Sequence, residues 1–117
     1  MLIDIHSHLV MPEYLEFLTG RGNLPKAVLR GGAYFISCGG GYTQASSAVH
    51  ADVEQKLRDM EQIGVDFAVI NHGIPGPEML GGAEADDWAA RMNDFQAEVI
   101  QKYSGKFIGW ANIGFGS

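Results

Sequence analysis

The sequence predicts an α/β domain organised around a parallel β-sheet. Short apolar runs of strand length alternate along the chain with segments in which apolar residues recur every three or four positions. One of these runs, residues 65–71, is almost continuously apolar, which is typical of a strand buried on both faces. The predicted order is strand, helix, helix, strand, helix, strand, and this alternation favours strands that run parallel.

The first strand is predicted at residues 2–6, where apolar and polar residues alternate. Successive side chains of a strand point to opposite faces, so the two isoleucines share one face. Asp4, His6 and His8 are expected to share the other face. A polar face at the end of a short apolar strand indicates that these side chains bind something.

A short helix and a long insertion are predicted to follow the first strand. The helix is expected at residues 11–19, because Pro12 suits a first helical turn and Gly20 follows the last apolar position. Residues 20–50 are rich in glycine and are predicted to be an irregular insertion, with 33–37 as one strand of a small hairpin. Long insertions in compact domains are usually functional.

The remaining elements are predicted from periodicity and from their end signals. A helix is expected at residues 51–63, with Gly64 as its C-terminal cap, followed by the strand at 65–71. A longer helix is expected at 83–103, and a third strand at 107–113. The apolar stripe of the longer helix, which is expected to be core, comprises Trp88, Met92, Phe95, Val99 and Tyr103.

Composition excludes several classes of protein. Eight basic residues stand against fourteen acidic ones, giving a net charge of −6, and no basic cluster marks a nucleic-acid or anionic-membrane surface. Cys38 is the single cysteine, so an internal disulfide and a cysteine-rich zinc module are both excluded. The N-terminus does not have the pattern of a secretory signal, and no segment has the apolar length of a membrane span. A cytoplasmic location is the expectation.

The run Asp-Ile-His-Ser-His at residues 4–8 predicts half of a metal site. His6 and His8 are two residues apart, which on a strand places two imidazoles on one face with Cα atoms about 6.5–7 Å apart. Such a pair can bind one cation through nitrogen atoms. They lie where the strand ends, and α/β proteins build their sites at the carboxyl ends of parallel strands. Asp4 is expected to have a structural role or to accept a hydrogen bond from a ligating histidine.

The motif Ile-Asp-Ile-His-Ser-His at residues 3–8 resembles the N-terminal signature of the amidohydrolase superfamily. The resemblance is to the amidohydrolase 2 branch, which includes aminocarboxymuconate-semialdehyde decarboxylase and related aromatic-acid decarboxylases. Residues 12–15 and 58–66 are similar to the segments that follow the signature in that branch. Residues 90–94 and 106–109 are similar to its next helix and strand. The resemblance is thus spread over most of the chain.

This resemblance implies a (β/α)8 barrel of the TIM type that binds one divalent metal ion, usually zinc. Residues 1–117 would form its N-terminal part, with about three barrel strands, since such a barrel takes about 250 residues. His6 and His8 would be metal ligands, and the other ligands and the catalytic histidine would lie beyond residue 117. No catalytic residue is assigned within the chain.

The resemblance also implies the reaction. It indicates non-oxidative decarboxylation of an unsaturated or aromatic carboxylic acid, with hydrolysis of a related bond left open. We expect the parent protein to be the enzyme and the 117-residue chain alone to be inactive. The alternative is a catalytically incomplete fragment or assembly module that retains half of the metal site. Either self-association or a missing C-terminal portion is expected to complete the barrel.

Two other side chains, His72 and Arg30, are candidates for the site, and the remaining histidine is not. His72 follows the second predicted barrel strand and would open at the same mouth, as a third ligand or a substrate contact. Arg30 lies in the insertion, and an arginine can bind a substrate carboxylate through two hydrogen bonds. His50, just before a predicted helix, is expected to be an ordinary surface residue.

Overall fold

The computed structural model describes residues 1–73 and 75–115, and it confirms an α/β fold with a parallel three-stranded sheet. The elements in chain order are β1 (Ile3–His8), α1 (Pro12–Thr19), β2 (Lys26–Arg30), β3 (Ala33–Gly39), β4 (Tyr42–Ser47), α2 (Val53–Ile63), β5 (Phe67–Asn71), α3 (Gly82–Lys102) and β6 (Phe107–Gly109). Short 3-10 helices lie at Ala48–Ala51 and Pro77–Met79. No described helix has the length and apolar character needed to cross a membrane.

The parallel sheet has the strand order β1-β5-β6. One face packs against α2 and α3, and the core between the sheet and these helices consists of Leu9, Met60, Ala68, Ile70, Val99 and Phe107. The opposite face, which we call the open face, carries exposed apolar side chains. They include Ile3, Ile5, Ile108 and Trp110. The sheet is therefore packed on one side only, as expected for part of a barrel.

A β-bulge interrupts β1 between Asp4 and Ser7. Asp4 is paired with Ala68 and Ser7 with Ile70, so the two residues between them in β1 lie opposite the single residue Val69 of β5. The extra residue shifts the alternation by one, and Asp4 and Ser7 therefore both face the helices. His8, which is paired with Asn71, lies on the open face. The prediction that Asp4 shares a face with His8 is wrong for this reason.

Residues 20–50 are more regular than the sequence pattern indicated. They form an antiparallel sheet of β2, β3 and β4, in which the predicted hairpin strand is the central one. Two glycine pairs, Gly31-Gly32 and Gly40-Gly41, make its two-residue turns, and all four residues have positive φ. Such turns require positive φ at both positions, so the glycines are there to form tight hairpins.

The antiparallel sheet is held against the rest of the fold by a second core. It joins α1, β2, β3 and α3 through Tyr14, Leu15, Leu18, Ala27, Ile36, Trp88 and Met92. This packing places the last strand of the insertion, β4, beside the end of β1. The insertion therefore contributes a wall to the region where the predicted metal ligands lie.

The predicted helices and strands agree with the structure to within a few residues. Gly64 caps α2 with φ of 81°, as predicted from its position after the last apolar residue. The largest difference is at the third barrel strand, which was predicted at 107–113 and ends at Gly109. Beyond it, Trp110 still donates a backbone hydrogen bond to Ile70.

Candidate functional site

A cavity of about 420 Å³ lies at the carboxyl ends of β1 and β5, between them and β4. Its lining residues are His6, His8, Val10, Tyr42, Gln44, Ala45, Ser46, His50, His72 and Gly73. All four histidines of the chain are therefore at this one cavity. The sequence indicated His6, His8 and His72 as candidates, but it did not indicate that β4 and His50 meet them there.

His6 and His8 lie side by side at the end of β1. Their rings are 5.0 Å apart between centroids and meet edge to face. The bulge between Asp4 and Ser7 places His8 on the open face, while Lys56 of α2 donates a hydrogen bond to the buried Ser7 on the opposite side. Ser7 thus anchors the strand end to the helix layer.

The ring of His8 is oriented by Asn71 at the end of β5. Nδ1 of His8 lies 2.6 Å from Oδ1 of Asn71. Because an amide oxygen accepts only, the proton of the neutral imidazole is on Nδ1, and Nε2 keeps its lone pair. This tautomer is the one in which Nε2 can bind a metal ion.

The hydrogen-bond partner of the His8 ring is Asn71 and not Asp4. Asp4 faces the helices, and its Oδ1 accepts a hydrogen bond of 3.0 Å from the backbone N–H of His6. The carboxylate therefore stabilises the bulged backbone that carries the first histidine. Arg30 is at the end of β2 with its guanidinium over the ring of Phe35, and it is not among the described residues that line the cavity.

His72 is the buried histidine of the site. Its side chain is 5% exposed, and neither ring nitrogen has a hydrogen-bond partner among the described residues. Its ring meets Tyr14 edge to face, with centroids 5.0 Å apart. Burial lowers the pKa of His72 from its usual value of 6.5 to about 4; the backbone of Gly73, which lies near the ring without forming a well-aligned hydrogen bond, opposes this shift, and the nearby His8 adds to it. At neutral pH this imidazole is therefore uncharged.

His50 is attached to the end of β4 by its own ring. Its Nδ1 lies 3.2 Å from the backbone nitrogen of Ser47 and 3.1 Å from Oγ of Ser46. The carbonyl oxygen of His50 accepts a hydrogen bond of 3.0 Å from the backbone N–H of Val10, just beyond β1. The sequence contains one signal for this contact of the His50 ring. Ser47 lies three residues before His50, which is the spacing of a helix-capping pair.

The residues present fit part of a metal site. His6 and His8 are neighbouring nitrogen donors, and Asn71 orients the second of them. Across residues 1–73 and 75–115, no three side chains of His, Cys, Asp or Glu are grouped closely enough to hold a metal ion. The neighbouring nitrogen donors in the described residues are thus His6 and His8, and their role as ligands remains a prediction.

Sequence comparisons do not assign this chain to a family. It matches no model of a known protein family, and no curated protein matches it significantly.

Solved structures match the fold over nearly the whole chain. Apo IDCase from Metarhizium anisopliae is 19% identical, with a TM-score of 0.81 over 95% of this chain and 34% of that one. The 5-carboxyvanillate decarboxylase from Sphingomonas paucimobilis is 16% identical, with a TM-score of 0.70 over 97% of this chain and 34% of its own. A dihydroxybenzoic acid decarboxylase from Polaromonas sp. JS666, with bound manganese and the inhibitor 2-nitroresorcinol, is 18% identical, with a TM-score of 0.59 over 94% and 29%.

These matches define the class of fold. The chain has the fold of the N-terminal part of TIM-barrel decarboxylases, the kind of structure that the motif at residues 3–8 predicted. It spans about a third of the length of the structures that it matches. Identities below one fifth establish the fold alone, and the site residues of this chain rest on its own geometry.

Proposed function

We propose that this chain is the N-terminal part of a metal-dependent decarboxylase of the amidohydrolase superfamily. The proposed reaction is the non-oxidative decarboxylation of an unsaturated or aromatic carboxylic acid. The observation that carries the proposal is the pair His6 and His8 at the end of β1, with the ring of His8 oriented by Asn71. The neighbouring decarboxylase structures favour this reaction over hydrolysis.

The proposed cofactor is one divalent metal ion, and we propose zinc. His6 and His8 would hold it, with Nε2 of His8 as one donor atom. Such an ion supplies Lewis-acid polarisation of an oxygen atom of the substrate or of water. One of the neighbouring structures contains manganese, so the identity of the metal is itself part of the test.

The chain's own residues would supply the substrate pocket. His72 is uncharged and buried beside Tyr14, so it can make a hydrogen bond to the substrate or act as a further ligand without the cost of removing a charge from water. Arg30 is the other proposed substrate contact. We favour His72, because it lines the cavity and Arg30 does not.

We propose that the open face of the sheet is covered by the remaining strands of a barrel. Its exposed isoleucines Ile3, Ile5 and Ile108 would be core residues there. These strands come from a longer parent chain, or a second copy takes their place. The single cysteine, Cys38, fits a reducing cytoplasm, which we propose as the compartment.

The metal site is tested by measuring zinc bound to the purified chain. We expect one zinc ion per chain, and its loss in the double variant His6→Ala/His8→Ala. Ile5→Ala, on the same strand and exposed, is the matched control and should retain zinc. A metal-free wild-type chain, or equal zinc in the double variant, would refute the metal-site proposal.

The reaction is tested on the complete product of the gene that encodes this chain. Carbon dioxide release from 5-carboxyvanillate and 2,6-dihydroxybenzoate is measured with zinc or manganese, in the wild type and in His8→Ala. We expect release that requires His8.

A second candidate function is an assembly module that retains two metal ligands and no catalysis. The grouping of only two donor side chains in the described residues favours it. Zinc binding without carbon dioxide release from the complete product, together with a stable oligomer of this chain, would support this candidate over the decarboxylase.

A further inference from the structure

We infer that His50 is the hydrogen-bond donor that binds the carboxylate group of the substrate. It would do so in the cavity that it shares with His6 and His8. This inference rests on the proposed function, because it assigns a substrate contact to the same cavity. It was not among the candidates that the sequence motif indicated.

The hydrogen bonds at Nδ1 determine the tautomer of His50. The backbone nitrogen of Ser47 can only donate, so Nδ1 of His50 must present its lone pair to it. The hydroxyl of Ser46, which is buried, is directed at the same nitrogen. The proton of the neutral imidazole is therefore on Nε2, where no described residue is its partner.

The position of His50 is fixed from both sides of the cavity. Its carbonyl oxygen accepts a hydrogen bond from Val10, two residues beyond His8. Its ring is held to the end of β4 by Ser46 and Ser47. His50 thus links the end of β1, through its carbonyl oxygen, to the wall contributed by the insertion, through its ring. A donor held in place in this way has little conformational entropy left to lose when a ligand binds.

His8 and His50 both line this cavity, and their Nε2 atoms have opposite hydrogen-bonding character. Asn71 accepts from Nδ1 of His8, which leaves a lone pair on Nε2 for a cation. Ser47 donates to Nδ1 of His50, which leaves an N–H on Nε2 for an anion. A metal ion and a carboxylate are the two charged partners that such an arrangement would accommodate side by side.

The other lining residues are compatible with a bound anion. None of the described residues that line this cavity is an aspartate or a glutamate; Asp4 and Asp59 line an adjoining cavity that also includes His8 and His50. None of the described residues lining the first cavity is a lysine or an arginine either. A neutral donor is therefore left to bind the carboxylate, and His50 offers an N–H there beside His72. Hydrogen bonds to a charged partner are the stronger kind.

The tautomer is tested by long-range ¹H–¹⁵N correlation spectra of the chain labelled with [¹⁵N]histidine. We expect His50 to show the pattern of the form protonated on Nε2 and His8 that of the form protonated on Nδ1. The variant His50→Gln assigns the signals of His50. A proton on Nδ1 of His50 would overturn the inference.

The contact is tested by calorimetric titration of the zinc-loaded chain with 2,6-dihydroxybenzoate, and with resorcinol, which lacks the carboxylate, as the matched ligand. We expect His50→Ala to weaken binding of 2,6-dihydroxybenzoate by about tenfold or more, the scale of one hydrogen bond to a charged group. Because resorcinol has no carboxylate for His50 to bind, its affinity should change by less than about twofold in His50→Ala. His50→Gln, which keeps an N–H near the position of Nε2, should retain most of the affinity.

The outcomes separate the two proposals. If His50→Ala binds zinc and 2,6-dihydroxybenzoate as the wild type does, the inference fails and the metal site stands. If the zinc-loaded wild type does not bind 2,6-dihydroxybenzoate, the inference also fails. If His6→Ala/His8→Ala retains zinc, the proposed function fails, whatever His50 does.

Discussion

His8 and Asn71 are joined by a contact of 2.6 Å between Nδ1 and Oδ1, although 63 residues separate them in the chain. The contact joins the ends of two neighbouring parallel strands, β1 and β5, whose register pairs these two residues. It decides which nitrogen of His8 is available for a metal ion. The orientation of a ligating histidine by such a partner commonly tunes metal affinity.

Asn71→Ala is therefore expected to weaken zinc binding by about 10–100-fold, the usual effect of removing a partner of a ligating histidine. Competition with a chromogenic chelator measures the dissociation constant. The matched control is Asn112→Ala, which removes an asparagine that contacts Asn93 beyond the end of β6 and should leave zinc affinity unchanged. Equal affinity in Asn71→Ala and wild type would show that the contact does not act on the metal site.

His72 is expected to make the fold sensitive to acid. Its pKa is about 4 in the folded chain and near 6.5 when unfolded, so below pH 6.5 the unfolded state takes up the proton first. Stability is thus lost as the pH falls from about 6.5 to about 4, by about 3 kcal/mol. Urea unfolding at pH 7 and pH 4 should show this loss in the wild type and not in His72→Phe. Parallel losses in both proteins would contradict the assignment.

Tyr14→Phe is expected to raise the free energy of unfolding. The Tyr14 hydroxyl is buried without a hydrogen-bond partner in the described part of the chain, and burial also raises its pKa. Removing an unpaired polar atom avoids its desolvation cost, for a gain of about 1 kcal/mol. Tyr42→Phe, which removes an exposed hydroxyl that donates to Gln44, is the control and should change stability by less than about 0.5 kcal/mol. A loss of stability in Tyr14→Phe would indicate a bound water or ligand at the hydroxyl.

Gly64→Ala is expected to destabilise the fold by about 1 kcal/mol, because alanine is strained in the left-handed conformation that caps α2. Gly20→Ala is a matched control, since Gly20 also caps a helix but has φ of −85°. A Cβ at Gly64 meets no atom within 4 Å, and one at Gly20 makes only an ordinary van der Waals contact of 3.6 Å with the carbonyl oxygen of Phe17. The difference in unfolding free energy therefore reports mainly the backbone conformation. Equal effects of the two substitutions in urea unfolding would count against this explanation.

Ile5→Lys is expected to reduce self-association of the chain. Ile5 is 77% exposed on the open face, where a charge would be costly to bury against another molecule. Ile63→Lys, at the end of α2 and 69% exposed, is the control and should leave association unchanged. Sedimentation velocity over a range of concentrations measures the change. Equal association in all three proteins would show that the open face is not the contact surface.

The elements of this fold were predictable because their signals are local. Apolar periodicity and end residues such as Pro12 and Gly64 act over a few positions, and the helices and the barrel strands lie close to where these signals put them. The His6-Ser7-His8 spacing likewise predicted neighbouring imidazoles at a strand end, as the structure has them. The glycine pairs of the insertion are also local signals. They form hairpin turns only because the strands on either side of them pair, and that pairing was not evident from the sequence.

Tertiary structure decided which side chains share the site. The β-bulge, which exists only where β1 pairs with β5, turned Asp4 towards the helices and left His8 on the open face. Asn71 and His50 join the site through partners that are distant in sequence or contributed by the packing of the insertion. The pairing of the His6 and His8 side chains could be predicted from the sequence because both residues belong to one strand. The orienting partner of His8 and the cavity could not, because they depend on contacts between strands.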